Sequence, residues 1–267
     1  MSINRVLIVQ KLKALATHLS ISAVLVAVAV FLMLTRWFPQ PLFETDGGGV
    51  GLKLIVLVDL VLGPLLTFVV FNPRKSRRDL VMDLGLIAAV QLAAFGWGIH
   101  NIHQVRVQTL AYYQGQFWSV TADTYAGQVI TPGGWSRYGA RAPYVVAVGE
   151  PKDGDQASGV AAYQMMKGLK PQELEFLYQP FVGHQNPNRA GGWTYTALSA
   201  QHADIAAAAR AWASRHSLQA EGLRYYRLQG FFGAAVAVFD PQGQWLGGFS
   251  GQLPVAPATA FSGSPTS

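Results

Sequence analysis

Long apolar runs separated by short polar segments fill the N-terminal part of the chain. The runs cover residues 19–38, 52–71 and 80–99, and each is close to the roughly 20 residues that a helix needs to cross a bilayer. A backbone exposed to lipid must satisfy its own hydrogen bonds, which favours helices for runs of this length. The sequence therefore predicts a three-transmembrane-helix region over residues 1–104.

From residue 105 onward the pattern changes to shorter apolar segments bounded by turn-forming residues. VQTLAYYQGQFWSVTAD predicts a β-hairpin with Gly115 in its turn, and residues 144–148 predict another strand. LRYYRLQ and AAVAVFDPQGQWLGGFS predict the closing strands, the last two joined at DPQG. A short helix is predicted from residue 170, and a longer one, capped by Ser199, over residues 200–216. Residues 179–192 are predicted to form a loop.

These elements predict an α+β domain over residues 105–251, with a mostly antiparallel sheet and one or two helices packed against it. Residues 252–267 lack periodicity and are predicted to form a disordered tail. The predicted fold class is a membrane protein in which a three-helix transmembrane region precedes this domain.

The composition supports a membrane protein. Hydrophobic residues make up 51% of the chain and charged residues 13%, whereas charged residues are about a quarter of an ordinary soluble domain. The chain has no cysteine, which excludes disulfides, a thiolate nucleophile and cysteine-ligated metal sites.

The net charge of +6 is concentrated beside the apolar runs rather than spread over a face that could bind nucleic acid. The positive-inside rule places the N-terminus and the basic linker in the cytoplasm and the C-terminal domain in the periplasm of a bacterium, with the lipid bilayer of the inner membrane as partner. The first run could also be a secretory signal peptide, but RWFPQP follows it instead of a small-x-small cleavage site, which favours an anchor. The topology determinants in the linker are Arg74, Lys75, Arg77 and Arg78.

Asp59 is the most informative single residue, because an ionised carboxylate inside an apolar run is costly and usually faces protein or a water-filled cavity. Gly63 and Thr67 follow on the same helical face, and Pro64 can kink the helix. Packing against a neighbouring helix and binding of a partner are both open roles for Asp59, whereas three helices are few for a transport pathway. Gln91 in the third run is predicted to donate a hydrogen bond between helices.

Other polar residues give weaker signals. Asp83 is predicted to form an ion pair with Arg77 and Arg78. His100 and His103 have a spacing that could share a metal, but two ligands are too few, the remaining histidines are scattered, and no HExxH is present. Ser250 lies in GFSG rather than GxSxG. The chain lacks GxxxxGK(S/T) and a strand-linked GxGxxG, so the sequence predicts no metal, no cofactor and no enzymatic activity.

Aromatic and arginine side chains of the C-terminal domain could line a groove for a glycan or peptide, although aromatics at strand spacing are more often core. They are Trp135, Arg137, Tyr138, Arg141, Tyr144, Tyr178, Arg189, Trp193, Tyr195 and Trp212.

The chain resembles the TfpX/TfpZ family of type IV pilin accessory proteins. The resemblance depends on KALATHLSISAVL, on VDLVLGPLLTFVVFNP with the basic linker after it, on QLAAFGWGI and on VFDPQGQWLGG. It is strong through Tyr113 and weak over residues 114–228, and NIHQVRV departs from the arginine-proline type of segment expected after the third helix. The resemblance implies a protein encoded beside a major pilin gene that affects pilus assembly, is neither a pilus subunit nor an enzyme, and has no established catalytic residues.

Together these observations predict an accessory protein that binds or stabilises the cognate major pilin and works with other pilus assembly proteins. The predicted docking residues for the pilin helix are Asp59, Gly63, Pro64, Thr67 and Gln91. A membrane-anchored periplasmic ligand-binding or sensor module is the alternative. A membrane-bound enzyme would need carboxylates such as Asp123, Glu150 and Asp204 to meet in space.

Overall fold

The computed structural model describes residues 2–181 and 192–255, which form two compact units. The helical unit contains the chain up to Trp37 together with Gly48–Gln104. The sheet domain contains Phe38–Gly47 together with the chain from Val105 onward. The segment Phe38–Gly47 therefore belongs to the sheet domain, although it lies between two helices of the other unit in sequence.

Long helices dominate the helical unit. Helix α1 is Ser2–Leu32 and continues through a π-helical turn at Met33–Trp37. The short helix α2, Leu42–Thr45, belongs to the sheet domain. Helix α3 is Gly48–Val56, a π-helical turn follows at Leu57–Leu62, α4 is Gly63–Val70, and α5 is Arg77–Gln104. Arg5–Trp37, Gly48–Val70 and Arg77–Gln104 are long and apolar enough to cross a membrane, which confirms the prediction of three long apolar helices.

The buried positions of the helical unit follow the helical repeat. Ile55, Asp59, Gly63 and Thr67 are buried at intervals of four residues along the second apolar stretch, so they share one face. Helices α1 and α5 both contact α4. Much of the remaining apolar surface is exposed, including that of Val69, Val81 and Leu86.

Within its described residues, the sheet domain contains one eight-stranded sheet and three further α-helices. The strands are β1 Val107–Tyr113, β2 Gln116–Thr121, β3 Tyr144–Val148, β4 Tyr178–Pro180, β5 Trp193–Thr194, β6 Arg224–Gln229, β7 Ala234–Phe239 and β8 Trp245–Ser250. The helices are α6 Gly154–Lys167, α7 Tyr195–Gln201 and α8 Ala203–Arg215. The strand order is β4-β3-β1-β2-β6-β7-β8, and β5 pairs with β6.

The locally encoded strands agree with the sequence prediction. Strands β1 and β2 form the predicted hairpin, with Gln114 and Gly115 both at positive φ, 52° and 81°, as a two-residue hairpin turn requires. Strand β3 covers the predicted residues 144–148. The turn between β7 and β8 closes with a 3.1 Å hydrogen bond from the Gly243 N–H to the Asp240 carbonyl.

The prediction of a mostly antiparallel sheet is wrong, because the sheet is mixed. Strand β1 pairs with β3 in parallel, and β2 pairs with β6 in parallel. Hairpins are visible in sequence because their turns are local, whereas a parallel pairing needs a long crossover connection.

The helices of the sheet domain also differ from the prediction. The segment after residue 170 forms two 3₁₀ turns, Pro171–Glu173 and Glu175–Leu177, rather than a short α-helix. Ser199 lies inside α7, whose actual cap is Thr194, which accepts the Ala197 N–H at 3.1 Å. Helix α6 was not predicted, although the Asp153 side chain caps it by accepting the Gln156 N–H at 2.8 Å.

One core of the sheet domain lies between α8 and strands β6–β8. Ile205, Ala209 and Trp212 are buried there, at helical spacing on one face of α8. Leu253 joins the same core, so residues 252–255, which the predicted tail included, are placed against the domain. The rest of that tail, residues 256–267, and the part of the predicted loop at 182–191 lie outside the described residues.

Candidate functional site

The second apolar stretch is wound more widely around Asp59 than an α-helix. In the π-helical turn Leu57–Leu62 the Gly63 N–H donates to the Val58 carbonyl, five residues back. Pro64 follows without an N–H group, so it cannot bond to the carbonyl four residues before it. Single π-helical turns occur frequently at functional sites. This turn carries Asp59 into a buried position, with 4% of its surface exposed.

Gln91 is the neighbouring-helix amide that contacts Asp59. Its Nε2 donates to the Asp59 Oδ1 at 3.3 Å and to the Asp59 backbone carbonyl at 3.3 Å. Gln91 Oε1 is buried and has no hydrogen-bond partner among the described residues. A Cβ atom at Gly63 would overlap the Gln91 side chain, so glycine is what permits this close approach of α4 and α5.

His18 on α1 completes the polar contacts in this part of the helical unit. Its Nδ1 lies 2.5 Å from the Oγ1 of Thr67, which is buried. Ser22, one turn further along α1, is buried as well. His18 and Ser22 were not predicted as site residues. The available signal was this pair of polar residues four positions apart at the start of the first apolar run.

These side chains line a cavity of about 380 Å³ between the three long helices. The cavity brings together three predicted site residues, Asp59, Thr67 and Gln91, while Gly63 and Pro64 shape the backbone beside it. Its lining combines polar atoms with apolar walls, so it suits an apolar segment that carries a hydrogen-bond donor. The lining residues are Ala14, Thr17, His18, Ile21, Ser22, Leu25, Asp59, Thr67, Leu84, Ala88, Gln91 and Leu92.

The basic linker precedes α5 and contains an exposed ion pair. Lys75 Nζ lies 2.5 Å from the Asp83 Oδ2. The prediction that Asp83 pairs with Arg77 and Arg78 is wrong. Both arginines belong to α5 and precede Asp83 by five or six residues, a spacing that does not place side chains together on a helix. Lys75 lies before the helix and is free of this restriction.

A second polar cluster lies in the sheet domain around Glu175, which is 1% exposed. Glu175 forms an ion pair with Arg137, and its Oε2 accepts the Thr131 N–H at 2.9 Å and the Thr131 hydroxyl at 2.7 Å. Burial and the charge of Glu175 raise the pKa of Tyr138 to about 12, so the phenol is protonated at neutral pH. The carboxylate is well satisfied by its neighbours, which is typical of a structural ion pair.

Most of the aromatic residues considered as groove lining contribute to the core. Trp193, Tyr195 and Trp212 belong to the core beside α8, and Tyr178 is buried in a second core. The Tyr178 hydroxyl lies 2.7 Å from that of Tyr125 and donates to the Gln172 carbonyl at 2.6 Å. These contacts favour the packing interpretation. Arg189 lies outside the described residues.

The sheet domain also has a cavity of about 500 Å³ beside α8 and β8. Within the described part of the chain its lining includes Arg215 and His216 and no carboxylate. The three carboxylates considered for an enzyme, Asp123, Glu150 and Asp204, are exposed, and they line neither of the two cavities. The Ser250 hydroxyl donates to the Glu44 Oε2 at 2.5 Å. Arg215, His216 and Ser250 therefore give the cavity polar contacts for binding, and its described lining holds no pair of carboxylates.

The other described histidines lie against aromatic rings. Among residues 2–181 and 192–255, no group of three or more His, Asp and Glu side chains comes together as metal ligands. His184 lies outside these ranges. The ring pairs are His100 with Trp97, His103 with Trp37, His202 with Trp193 and His216 with Trp212.

Comparison with known proteins gives partial relatives. The chain is 35% identical over 89 residues to the fimbrial assembly protein of serogroups C1 and C2 of Dichelobacter nodosus. The matched region covers 33% of this chain and 68% of that protein. The chain belongs to the family of these fimbrial assembly proteins. The family members of serogroups I and E1 from the same organism are also 35% identical over 89 residues. The match spans 35% of the length of each of these two longer relatives.

No family model matches the chain, and no solved structure matches it. Family membership therefore comes from the sequences of the fimbrial assembly proteins alone.

Proposed function

We propose that this protein is an inner-membrane accessory protein of type IV pilus biogenesis, of the TfpX/TfpZ type, that binds or stabilises the major pilin and modulates pilus assembly. The chain belongs to a family whose proteins are named for fimbrial assembly, which supports a role in pilus biogenesis. The cavity that contains Asp59 supports the binding role. Contacts with other pilus assembly proteins follow from a position beside the pilin.

The proposed topology has three membrane crossings. The N-terminus and the linker with Arg74, Lys75, Arg77 and Arg78 lie in the cytoplasm, as the positive-inside rule favours. The sheet domain then lies in the periplasm. Support comes from the two chain segments that make up this domain, because Phe38–Gly47 folds together with the chain from Val105 onward. Both segments must be on the same side of the membrane, which agrees with one helix before the first segment and two helices between them.

The single observation that carries the binding proposal is the state of Asp59. This carboxylate is 4% exposed, accepts a long hydrogen bond of 3.3 Å from Gln91, and lines a cavity of about 380 Å³ among apolar helices. Buried carboxylates normally have close partners. A pilin that waits in the membrane presents an apolar helix with its globular head outside. In this proposal that helix docks at the cavity and supplies the missing contact, while the sheet domain touches the pilin head.

Site-directed photocrosslinking tests the docking surface directly. Leu92 is 57% exposed and lines the cavity, whereas Leu86 on the same helix is 67% exposed and does not line it. A photoreactive amino acid at Leu92 is expected to capture the cognate pilin in cells, and the same group at Leu86 is expected to capture much less. Equal capture from both positions would contradict docking at this cavity.

Substitution of Asp59 tests the role of the carboxylate. We expect Asp59→Leu to reduce pilin capture from position 92 and to reduce surface piliation, with the protein still present in the membrane. Asp83→Leu is the control, because Asp83 is an acid of the third helix that does not line the cavity. Unchanged capture and piliation in Asp59→Leu would reject the docking proposal.

A periplasmic ligand-binding module is the second candidate, and the cavity of about 500 Å³ in the sheet domain favours it. Arg215 lines that cavity beside Trp212, so an acidic or aromatic ligand would suit it. Arg215→Ala would distinguish the two functions. Loss of piliation with undiminished crosslinking from position 92 would favour ligand binding, and normal piliation would favour the docking role alone.

A further inference from the structure

The loop between β6 and β7 presents two consecutive phenylalanines to solvent. Gly230 and Gly233 close this tight turn through a 2.8 Å hydrogen bond from the Gly230 N–H to the Gly233 carbonyl. Phe231 and Phe232 between them are 83% and 60% exposed. Side by side, these two rings form an exposed apolar patch, and such patches are candidate contact surfaces for a protein or a membrane. We call these two residues the phenylalanine tip.

The phenylalanine tip is fixed to the segment Phe38–Gly47 of the same domain. The Phe232 N–H donates to the Thr45 carbonyl at 2.8 Å, and the Phe231 N–H donates to the Asp46 Oδ1 at 3.2 Å. Ser119 donates to the same carboxylate oxygen at 2.5 Å. Both phenylalanines are therefore held in place through their backbone, which leaves their rings available for contact.

Close packing at two glycines fixes the position of the phenylalanine tip against Phe38–Gly47. A Cβ atom at Gly230 would lie 2.7 Å from the Thr45 carbonyl oxygen, and one at Gly47 would lie 2.6 Å from the Phe232 ring. Real Cβ atoms do not approach this closely, so a side chain at either glycine would displace the tip. Hydrogen bonds and close packing therefore hold the phenylalanine tip in one position on the sheet domain.

Covalent connection ties the tip to the start of an apolar helix. Gly47 is followed directly by Gly48, the first residue of α3 and of the 23-residue apolar stretch Gly48–Val70. Three peptide bonds separate Thr45 from Gly48, so their Cα atoms lie within about 11 Å of each other in any arrangement of the two units. In the proposed topology Gly48 begins the second membrane crossing at the periplasmic face of the bilayer, so Thr45 lies close to that face.

We propose that Phe231 and Phe232 insert into the interfacial layer of the lipid bilayer and anchor the sheet domain on the membrane surface. This inference depends on the proposed topology. Phenylalanine is among the apolar side chains that bury into the boundary between headgroups and acyl chains. The occupant is lipid, because the residues that hold the tip continue directly into the apolar stretch that begins at Gly48.

Spin labels on the full-length protein test the insertion. The chain has no cysteine, so Phe231→Cys, Val129→Cys and Val90→Cys each give one labelling site. Val129 is 85% exposed in the sheet domain and Val90 is 62% exposed on α5. In vesicles of phosphatidylethanolamine and phosphatidylglycerol, we expect the ratio of oxygen to nickel-complex accessibility to be several-fold higher at 231 than at 129, and high at 90.

The three positions separate failure of this inference from failure of the proposed topology. A low ratio at 231 with a high ratio at 90 overturns insertion and leaves the membrane crossings intact. Low ratios at all three positions overturn both. A ratio at 231 that rises only when pilin or excess protein is added overturns lipid as the occupant in favour of a protein partner.

Should Phe231→Cys fail to fold, Gly233→Cys gives a second label on the same turn. A Cβ atom there meets no described atom within 4 Å, so the substitution is sterically tolerated. A several-fold higher ratio at 233 than at 129 supports insertion, and equal ratios overturn it.

Discussion

Two buried carboxylates, one in each unit, have very different surroundings. Glu175 in the sheet domain is 1% exposed, and Arg137 together with the N–H and hydroxyl of Thr131 satisfies it. Asp59 in the helical unit is 4% exposed, and its side chain accepts a 3.3 Å hydrogen bond from Gln91 beside a cavity of about 380 Å³. Similar burial thus accompanies full satisfaction in one unit and weak satisfaction in the other.

The difference supports a structural role for Glu175 and agrees with the proposal that Asp59 contacts a partner. A buried charge with complete partners contributes to the folded state because removing it leaves the partners unpaired. A buried carboxylate whose hydrogen bond is long gains less from its own unit and can gain from a group brought by another molecule. Burial alone would have ranked the two residues together.

The largest expected effect is that of Glu175→Leu. Losing one member of a buried ion pair typically costs 3–5 kcal/mol, and we expect about 3 kcal/mol here because Arg137 keeps some contact with water. Urea unfolding of the detergent-solubilised protein, followed by tryptophan fluorescence, measures the free energy of unfolding. Glu221→Leu is the control, since the Glu221 pair with Arg210 is exposed and should contribute less than about 1 kcal/mol. Equal losses in both variants would contradict the structural role of Glu175.

Gly63→Ala should have the next largest effect, because the added methyl group would push the flexible Gln91 amide away from Asp59. Losing that hydrogen bond should cost about 1 kcal/mol. Thermal unfolding followed by far-UV circular dichroism measures the loss. Gly85→Ala on α5 is the matched control, since its Cβ meets no described atom within 4 Å and alanine favours a helix by up to about 1 kcal/mol. Adding Gln91→Ala to Gly63→Ala should cause little further loss, because the same hydrogen bond is already broken, and additive losses would contradict this explanation.

Asp59→Asn should change stability by less than about 1 kcal/mol, because an amide keeps an oxygen for the weak hydrogen bond from Gln91. Pilin capture from position 92 should nevertheless fall if a partner uses the carboxylate. Unfolding and crosslinking measured on the same preparation decide the comparison with Glu175. A loss of stability as large as that of Glu175→Leu would show that Asp59 is structural instead.

The smallest effect concerns Asp46, which holds the phenylalanine tip. Burial raises the pKa of the Asp46 carboxyl above its ordinary value of 3.8, and hydrogen bonds from Ser119, Thr45 and Phe231 oppose this shift. Between the ordinary and the raised pKa the folded protein binds more protons than the unfolded chain, so this group's contribution to stability falls as pH rises through that window. Asp46→Asn should remove this slope. Unfolding measured from pH 4 to pH 7 tests it, with exposed Asp155→Asn as control, and parallel curves for wild type and Asp46→Asn would refute it.

Local signals account for what the sequence predicted well. The hairpin at Gln114 and Gly115 and the turn at Asp240 to Gly243 are encoded by residues within a few positions of one another, and the apolar runs need only length and composition. Helix α6 shows the limit of this approach. Its capping residues Asp153 and Gln156 were present, but the surrounding glycines and aspartates favoured a turn.

Some residues that line the cavity of the helical unit were selected from the sequence. Asp59, Thr67 and Gln91 stand out because each is polar within an apolar run, and the structure brings them to one cavity. His18 and Ser22 were missed because they lie at the edge of the first run, where polar residues are common. Their role depends on the contact between α1 and α4, which no spacing within a single helix can indicate.

The sequence by itself determined the three long apolar helices, the basic linker and the strands that form hairpins, because each depends on neighbouring residues. Only the tertiary structure decided that β1 pairs with β3 and β2 with β6 in parallel, that Phe38–Gly47 belongs to the sheet domain, and that Lys75 pairs with Asp83. The first two features join residues that are far apart in the chain. The ion pair joins a residue before α5 to one inside it, a contact that helical spacing does not indicate. Their free energy comes from packing and hydrogen bonds formed only after the chain has folded.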